Sequence, residues 1–481
     1  MALRLINFSA DFIMRFCRQS VALCKFLVEC LRLLFVGHVV NTRFRRICFI
    51  IIVTSVVMWL LFGRGAHKAG QYSPWSHRPI NEPTSNTNHF SRPRDVNIYI
   101  YSAIVNFQLP VSGAINIIIT SLDGSTSSLD CCVILDNSTV YSTQSRKHFF
   151  YHTSDIPIVD AIEEYFRPEV YKARQYSCVV PEIGQHASHV TLKSSSSSCS
   201  PDIRDYIPVI YPSRVPGGLA ICGKIAYSGG LDPEKVIEWF ELQRILGVDK
   251  VLIYDLGNPE SLNRVFRYYQ EIGILDLQPY ELPGGPPNRT MIGKDIGTMQ
   301  FHHDESMAVL ECRQRMAGYS YVMSHDLDEY IIPRQHIGLK QFFKEQMEKF
   351  QDSAGFYFDA EFFIYDWGAT NVEEDLVLTR YRKATKPHWE CTKFVFLPHR
   401  ILSIVTHSML QLSPYRTYRI PSNEAVIHHY RRCPSNVWPT CLPETIIDNV
   451  MTRYLDLHDR VLKVRKATDT RPTWSSSPGH T

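Results

Sequence analysis

The chain has 481 residues, 44% hydrophobic and 21% charged, the balance of an ordinary folded protein with room for one large domain or two smaller ones. A net charge of +3 is small for that length and excludes a nucleic-acid binder working through a basic surface. The charge is uneven, however: residues 1–46 carry +6 and the remainder −3, and a basic tail beside an apolar run is a membrane signature.

Residues 16–40 are apolar but interrupted by Arg18, Lys25, Glu29 and Arg32, a pattern that suits an amphipathic or buried segment. Ile47 to Phe62 follows, sixteen residues without a charge, and 47–63 is predicted to be a transmembrane signal anchor. Arg43, Arg45 and Arg46 precede it and only Arg64 and Lys68 follow closely, so the excess of positive charge puts 1–46 in the cytosol and the bulk of the chain in the lumen. The bulky Trp59, Leu60, Leu61 and Phe62 argue against a cleaved signal peptide. Residues 64–94, rich in Pro, Ser, Asn and Gly with no periodic apolar face, read as a stem.

From Asp95 apolar and polar residues alternate: Val96, Ile98 and Ile100, then Ile115, Ile117 and Ile119, with turn residues between runs. The period of two predicts a β-rich lumenal module over 95–213. Nine cysteines follow the span, and an oxidising lumen would pair them in up to four disulfides. Asn137-Ser-Thr and Asn288-Arg-Thr are glycosylation sequons on the lumenal side.

Beyond residue 214 the rhythm changes. Leu219–Tyr227 reads as a strand, and Asp232-Pro233-Glu234 opens a helix that Gly247 ends. Val248–Tyr254 is a buried strand ending at Asp255; then come a helix over Pro259–Ile272, a strand over Ile274–Leu282, a helix around His303–Ala317 and a strand over Tyr319–Ser324. This alternation predicts an α/β domain over 214–467 with a mostly parallel sheet, whose ligands sit at the carboxyl ends of the strands. Further strands are expected over Phe356–Trp367, Lys393–Met409 and Ala425–Tyr430, a closing helix over Thr445–Lys466, and a disordered tail at 468–481.

The strongest motif is Tyr321-Val-Met-Ser-His-Asp326-Leu-Asp328-Glu329-Tyr330-Ile-Ile-Pro333. An apolar strand delivers two carboxylates two residues apart, which on extended backbone point the same way. Converging carboxylates repel unless a cation neutralises them, and a hard divalent ion such as Mn²⁺ bridging a diphosphate suits them. His302-His303-Asp304-Glu305 opens a helix, where acids suit the dipole; it is not a zinc-protease motif.

The Asp-Leu-Asp-Glu block resembles that of GT-A (Rossmann-like) glycosyltransferases. The ordered blocks Ile237 to Asp255, the Cys312 helix before Asp326, Lys393-Phe-Val-Phe-Leu-Pro, Val405-Thr-His407 and His428-His-Tyr-Arg431 are similar to glycosyltransferase family 92, over roughly 215–435. The resemblance implies inverting transfer of a hexose, galactose in the characterised case, from a UDP-sugar to a glycan acceptor. It implies Asp328 as direct metal ligand, Asp326 on ribose or metal, Asp255 near the uridine, and a C-terminal histidine completing the metal shell, His407 first and His429 second. Lys393 and Arg431 are candidate electrostatic helpers, and Glu361 and Asp366 candidate bases for the acceptor hydroxyl. The expectation is a membrane-anchored Golgi enzyme, the alternative a catalytically inactive glycan-binding or adhesion ectodomain on the same fold.

Overall fold

A computed structural model describes residues 90–107, 114–124, 128–147, 171–181, 186–226, 231–280, 295–433 and 446–470. The segment 16–40, the expected anchor at 47–63, the stem up to residue 89, Asn288 and the tail from 471 lie outside them. Among the described residues no helix is long and apolar enough to cross a membrane.

The alternating N-terminal runs form one sheet of eight strands: β1 (Ile98–Val105), β2 (Ala114–Asp123), β3 (Leu129–Leu135), β4 (Val140–Gln144), β5 (Arg146–Lys147), β6 (Lys172–Pro181), β7 (Ala187–Ser194) and β8 (Ile207–Ile210). Their order is β4-β3-β7-β8-β1-β2-β6-β5. Although β3 and β6 lie far apart in that order, Cys131 and Cys178 bridge them with Cα atoms 5.9 Å apart. The sheet therefore curls until its ends face each other across a core of Ile98, Ile100, Ile117, Ile119 and Val190. A second disulfide, Cys132–Cys199, ties β3 to the segment after β7.

The second sheet begins with β9 (Val215–Ala226), β10 (Lys250–Asp255), β11 (Leu275–Pro279) and β12 (Tyr319–Ser324), mutually parallel in the order β11-β10-β9-β12. Helices α1 (Pro233–Ile245), α2 (Glu260–Glu271) and α3 (Asp295–Arg315) make the crossovers. The α1 start behaves as its residues require: the Asp232 side chain accepts from the Glu234 amide at 3.1 Å, and Gly247 ends the helix at φ +90°. Leu219, Ile221, Val251 and Ile253 bury one sheet face against Val236 and Phe240 of α1 and Phe266 of α2. Ala220, Cys222, Leu252 and Tyr254 bury the other against Met307 and Leu310 of α3. The Cys222–Cys312 disulfide locks β9 to α3. Helix α3 also meets the first sheet, where the Gln175 amide donates to the Leu310 carbonyl at 3.3 Å.

The remaining elements are β13 (Glu329–Pro333), α4 (Leu339–Lys349), β14 (Ser353–Ile364), α5 (Val377–Arg380), β15 (Lys383–Ala384), β16 (His388–Phe396), β17 (Ile401–Val405), β18 (Ser408–Gln411), β19 (Arg416–Arg419), β20 (Ala425–Arg431), β21 (Ile446–Ile447) and α6 (Leu457–Thr468). Strand β16 runs antiparallel to β12 and carries the sheet on to β14, while β20 lies parallel to β14 and antiparallel to β13. The single strand expected over 393–409 is broken after Phe396, where Pro398 can donate nothing to a ladder, and β17 and β18 turn back as a separate hairpin. The closing helix starts at Leu457 rather than Thr445, because the β-branched Ile446 and Ile447 join a ladder with β15 instead.

Candidate functional site

The carboxyl edge of the parallel strands gathers the charged residues. After Ser324 the chain leaves β12 and turns at Leu327, so Asp326 and Asp328 are not on extended backbone as the period-two reading expects. The turn is closed from inside. The Asp326 amide donates to Glu329 Oε2 at 2.8 Å, the Trp239 indole donates to the Glu329 carbonyl at 3.0 Å, and the Tyr430 amide donates to the Asp328 carbonyl at 3.0 Å. Trp239 is fully buried on α1; losing its N–H would strand that carbonyl at a cost of about 1–3 kcal/mol.

As a result the two aspartates take different partners. Asp326 Oδ1 lies 2.9 Å from Lys224 Nζ, and Oδ2 lies 2.9 Å from Lys393 Nζ, which also reaches Glu329 Oε2 at 3.2 Å. Asp328 Oδ2 instead faces His429 Nε2 at 3.4 Å, and Nδ1 of the same ring faces Glu329 Oε1 at 3.4 Å. The Asp326 and Asp328 side chains remain 37% and 48% exposed, whereas Lys224, Lys393, Glu329 and His429 beneath them are buried. The arrangement is one of partly open carboxylates over a buried charged floor.

Burial acts against the charge on Asp326, but Lys224 and then Lys393 outweigh it and hold the carboxyl well below its usual range. Burial likewise works against the Lys393 charge, and Asp326 and Glu329 raise its pKa despite it. For His429, burial opposes protonation while Glu329 and Asp328 more than compensate.

A divalent cation fits this chemistry at Asp328 and His429. Glu329 faces one ring nitrogen of His429 and leaves the other turned to Asp328, the arrangement by which a carboxylate orients a metal-binding imidazole. Glu329 Oε1 and His429 Nδ1 are otherwise orphaned buried atoms. Glu305, Asp326, Asp328 and Glu329 gather around the Lys224 and Lys393 ammonium groups, so a hard cation would meet carboxylate oxygens here. His407 lies at the tip of the β17–β18 hairpin, with Nδ1 3.1 Å from the Thr392 carbonyl. Desolvation of its inner edge, then the ammonium groups of Lys393 and Lys224, oppose its protonation. Of the two histidines singled out in the sequence, His429 is the one the structure brings to Asp328.

The other site residues are distributed as follows. Asp255 ends β10 and uses Oδ1 to accept from the Gly257 amide at 3.0 Å and the Asn258 amide nitrogen at 2.5 Å. Arg431 ends β20 beside Ile364 of β14. Asp366 is exposed in the short turn after β14, its Oδ2 accepting from the Cys433 amide at 2.7 Å. Glu361 is placed differently from a base that meets an acceptor hydroxyl. It is buried, bonded by Arg334 at 2.6 Å, and registered with His428, on the face of β14 opposite Phe362 and His429. Asn137 is exposed in the β3–β4 turn, its Oδ1 accepting from the Thr139 amide at 3.0 Å. The His302–Glu305 run disperses: Glu305 pairs with Lys224 at 3.0 Å, while Asp304 accepts from the Tyr280 hydroxyl at 3.1 Å.

Two basic residues escaped the sequence reading. Lys224 interrupts an otherwise apolar strand, and that lone charge after Gly223 was the available signal. Lys235 lies on α1 with its ammonium 4.1 Å over the Tyr365 ring; burial lowers its pKa.

Comparison with known proteins agrees with the motif order. A relative from Caenorhabditis elegans, Beta-1,4-galactosyltransferase galt-1, is 24% identical over 128 residues, which is 26% of this chain and 28% of that protein. Among solved structures, the crystal structure of S. aureus TarS 1-349 aligns with 12% identity over 38% of this chain and 47% of that one, at a TM-score of 0.22 that carries no architectural weight. The model of Glycosyltransferase family 92 matches residues 218–467, just over half the chain, from the start of β9 to the last turns of α6. The chain belongs to glycosyltransferase family 92.

Proposed function

We propose that this glycosyltransferase uses a GT-A catalytic domain and a divalent cation, Mn²⁺ for preference, to transfer galactose from UDP-galactose to a glycan acceptor with inversion. The observation that carries the reading is the open Asp326 and Asp328 pair over the buried Lys224, Lys393, Glu329 and His429, at the carboxyl edge of a parallel sheet. Galactose is favoured because the C. elegans relative is named a β-1,4-galactosyltransferase. The basic tail and apolar run at 47–63 support a single-pass type II protein with its catalytic domain in the Golgi lumen.

As the sugar–phosphate bond breaks, negative charge grows on the diphosphate. A cation held by Asp328 and His429 would supply Lewis-acid stabilisation there. Lys393, fixed by Asp326 and Glu329, adds a positive charge that needs no reorganisation. Asp255, whose Oδ2 carries no hydrogen bond among the described residues, faces the uridine end. Asp366 suits the base better than Glu361, because it is exposed and free of an arginine partner among the described residues.

The test is donor hydrolysis by the full-length chain in detergent, across UDP- and GDP-sugars, with Mn²⁺ or chelator. Metal-dependent release of galactose from UDP-galactose, lost in Asp328→Ala, is the expected result. Release from another donor would correct the sugar, and the absence of UDP binding with Mn²⁺ would favour a catalytically inactive ectodomain.

A further inference from the structure

We infer that Lys224 is a diphosphate-binding residue, forming with Lys393 a pair of cations that grips the leaving group of the donor independently of a bound metal. The inference rests on the nucleotide-diphosphate donor proposed above.

Lys224 stands where β9 departs from its ladder. Cys222 pairs with Leu252 and Ile225 with Tyr254, so β9 carries one residue more than β10 between those pairs. At this bulge Lys224 adopts φ +55°. Left-handed backbone at a residue with a side chain costs roughly 1–2 kcal/mol, and such conformations persist where the site needs what they deliver. Here the bulge delivers a lysine side chain, 6% exposed, to the sheet edge between the strand that ends at Asp255 and the turn that holds Asp326.

Lys224 is one of two cations on Asp326. Lys393 already lies 2.9 Å from Oδ2 of that carboxylate, and Lys224 adds a second ammonium 2.9 Å from Oδ1. Glu305 on α3 holds Lys224 from its other side at 3.0 Å, and the Cys222–Cys312 disulfide ties α3 to β9 two residues before the lysine. Lys224 is thus fixed before any ligand arrives, with one of its three N–H donors unassigned among the described residues. Asp326, 37% exposed, lies between the two ammonium groups, whose side chains are 6% and 2% exposed, so a diphosphate reaches both lysines by taking the place of its carboxylate. A diphosphate carries several anionic oxygens, enough to engage both ammonium groups as point charges.

Calorimetry on the full-length chain in detergent tests this, comparing UDP with uridine in Mn²⁺ and in chelator. The wild type is expected to bind UDP in chelator more weakly than with Mn²⁺, yet roughly tenfold or more tighter than uridine. Lys224→Met is expected to lower that chelator-phase UDP affinity by about ten- to a hundredfold while uridine affinity stays level, and Lys224→Arg to restore most of it. UDP no tighter than uridine in chelator, or K224M binding UDP as the wild type does, would overturn the inference. If K224M loses its thermal transition, Glu305→Gln decides instead. Removing a carboxylate that competes for Lys224 should tighten UDP in chelator several-fold, and unchanged affinity would count against a diphosphate role. A wild type that binds no UDP even with Mn²⁺ overturns the donor reading itself.

Discussion

Adjacent histidines on β20 sit in two clusters of nearly the same composition, and only one of the two opens to solvent. His429 points to Asp328 and Glu329; His428 points the other way, its Nε2 3.7 Å from Glu361 and 3.8 Å from Asp448. The second cluster has carboxylates and an imidazole close enough to hold a metal. It already has its own cation, however, because Arg334 pairs with both Glu361 and Asp448. Its members are also shut from solvent, and burial depresses His428 to about 3 and raises Glu361 to about 7. The open cluster presents Asp326 and Asp328 to solvent; the sealed one keeps its charges paired inside. Both clusters combine carboxylates, an imidazole and basic side chains, so what separates them is exposure.

The largest expected effect comes from cutting each cluster at its carboxylate. Asp328→Asn should lower donor turnover by roughly a hundredfold or more, with little change in melting temperature, since the side chain is 48% exposed. Glu361→Ala should do the reverse. Arg334 keeps Asp448, so losing this partner costs about 1–3 kcal/mol, read as a lower denaturant midpoint, with turnover per folded molecule retained. A Glu361→Ala protein that is stable but inactive would place Glu361 in the chemistry.

A smaller contrast separates the histidines. His429→Ala should weaken Mn²⁺ binding about 10- to 100-fold, the range seen when a metal's ligand support is lost, while His428→Leu should leave Mn²⁺ affinity unchanged. Titration of Mn²⁺ by calorimetry distinguishes them. Equal losses would mean that the two faces of β20 are not independent.

The smallest effect is in pH. His428 has its folded pKa depressed from 6.5 to about 3, so the unfolded chain binds the extra proton between those values. That contribution is present above 6.5 and lost as pH falls toward 3. Glu361, raised from 4.5 to about 7, has the opposite sign: its contribution is present below 4.5 and lost as pH rises through 7. Melting curves from pH 7.5 down to about 5 should therefore show His428→Leu losing less stability on acidification than the wild type. Identical slopes would remove His428 as an acid-sensitive group.

Much of the scaffold was legible. Asp232-Pro233-Glu234, Gly247 and the apolar strands before Asp255 and Asp326 located the parallel core, because caps, breakers and short apolar runs act locally. After Pro333 the reading failed more often. Strands β14, β16 and β20 are buried on both faces, so no alternation marks their ends, and α4 went unseen among them.

By itself the sequence determined that Asp326, Asp328 and Glu329 follow an apolar strand, and that His428 and His429 lie in a strand with side chains on opposite faces. Only the tertiary structure decided which histidine meets Asp328, that Arg334 claims Glu361, and that Lys224 and Lys393 reach one carboxylate from β9 and β16. Local patterning assigns a side chain to a face, whereas its partner depends on which strands the sheet brings together from as many as 169 positions away, as with Lys224 and Lys393, and on which groups are left open to water.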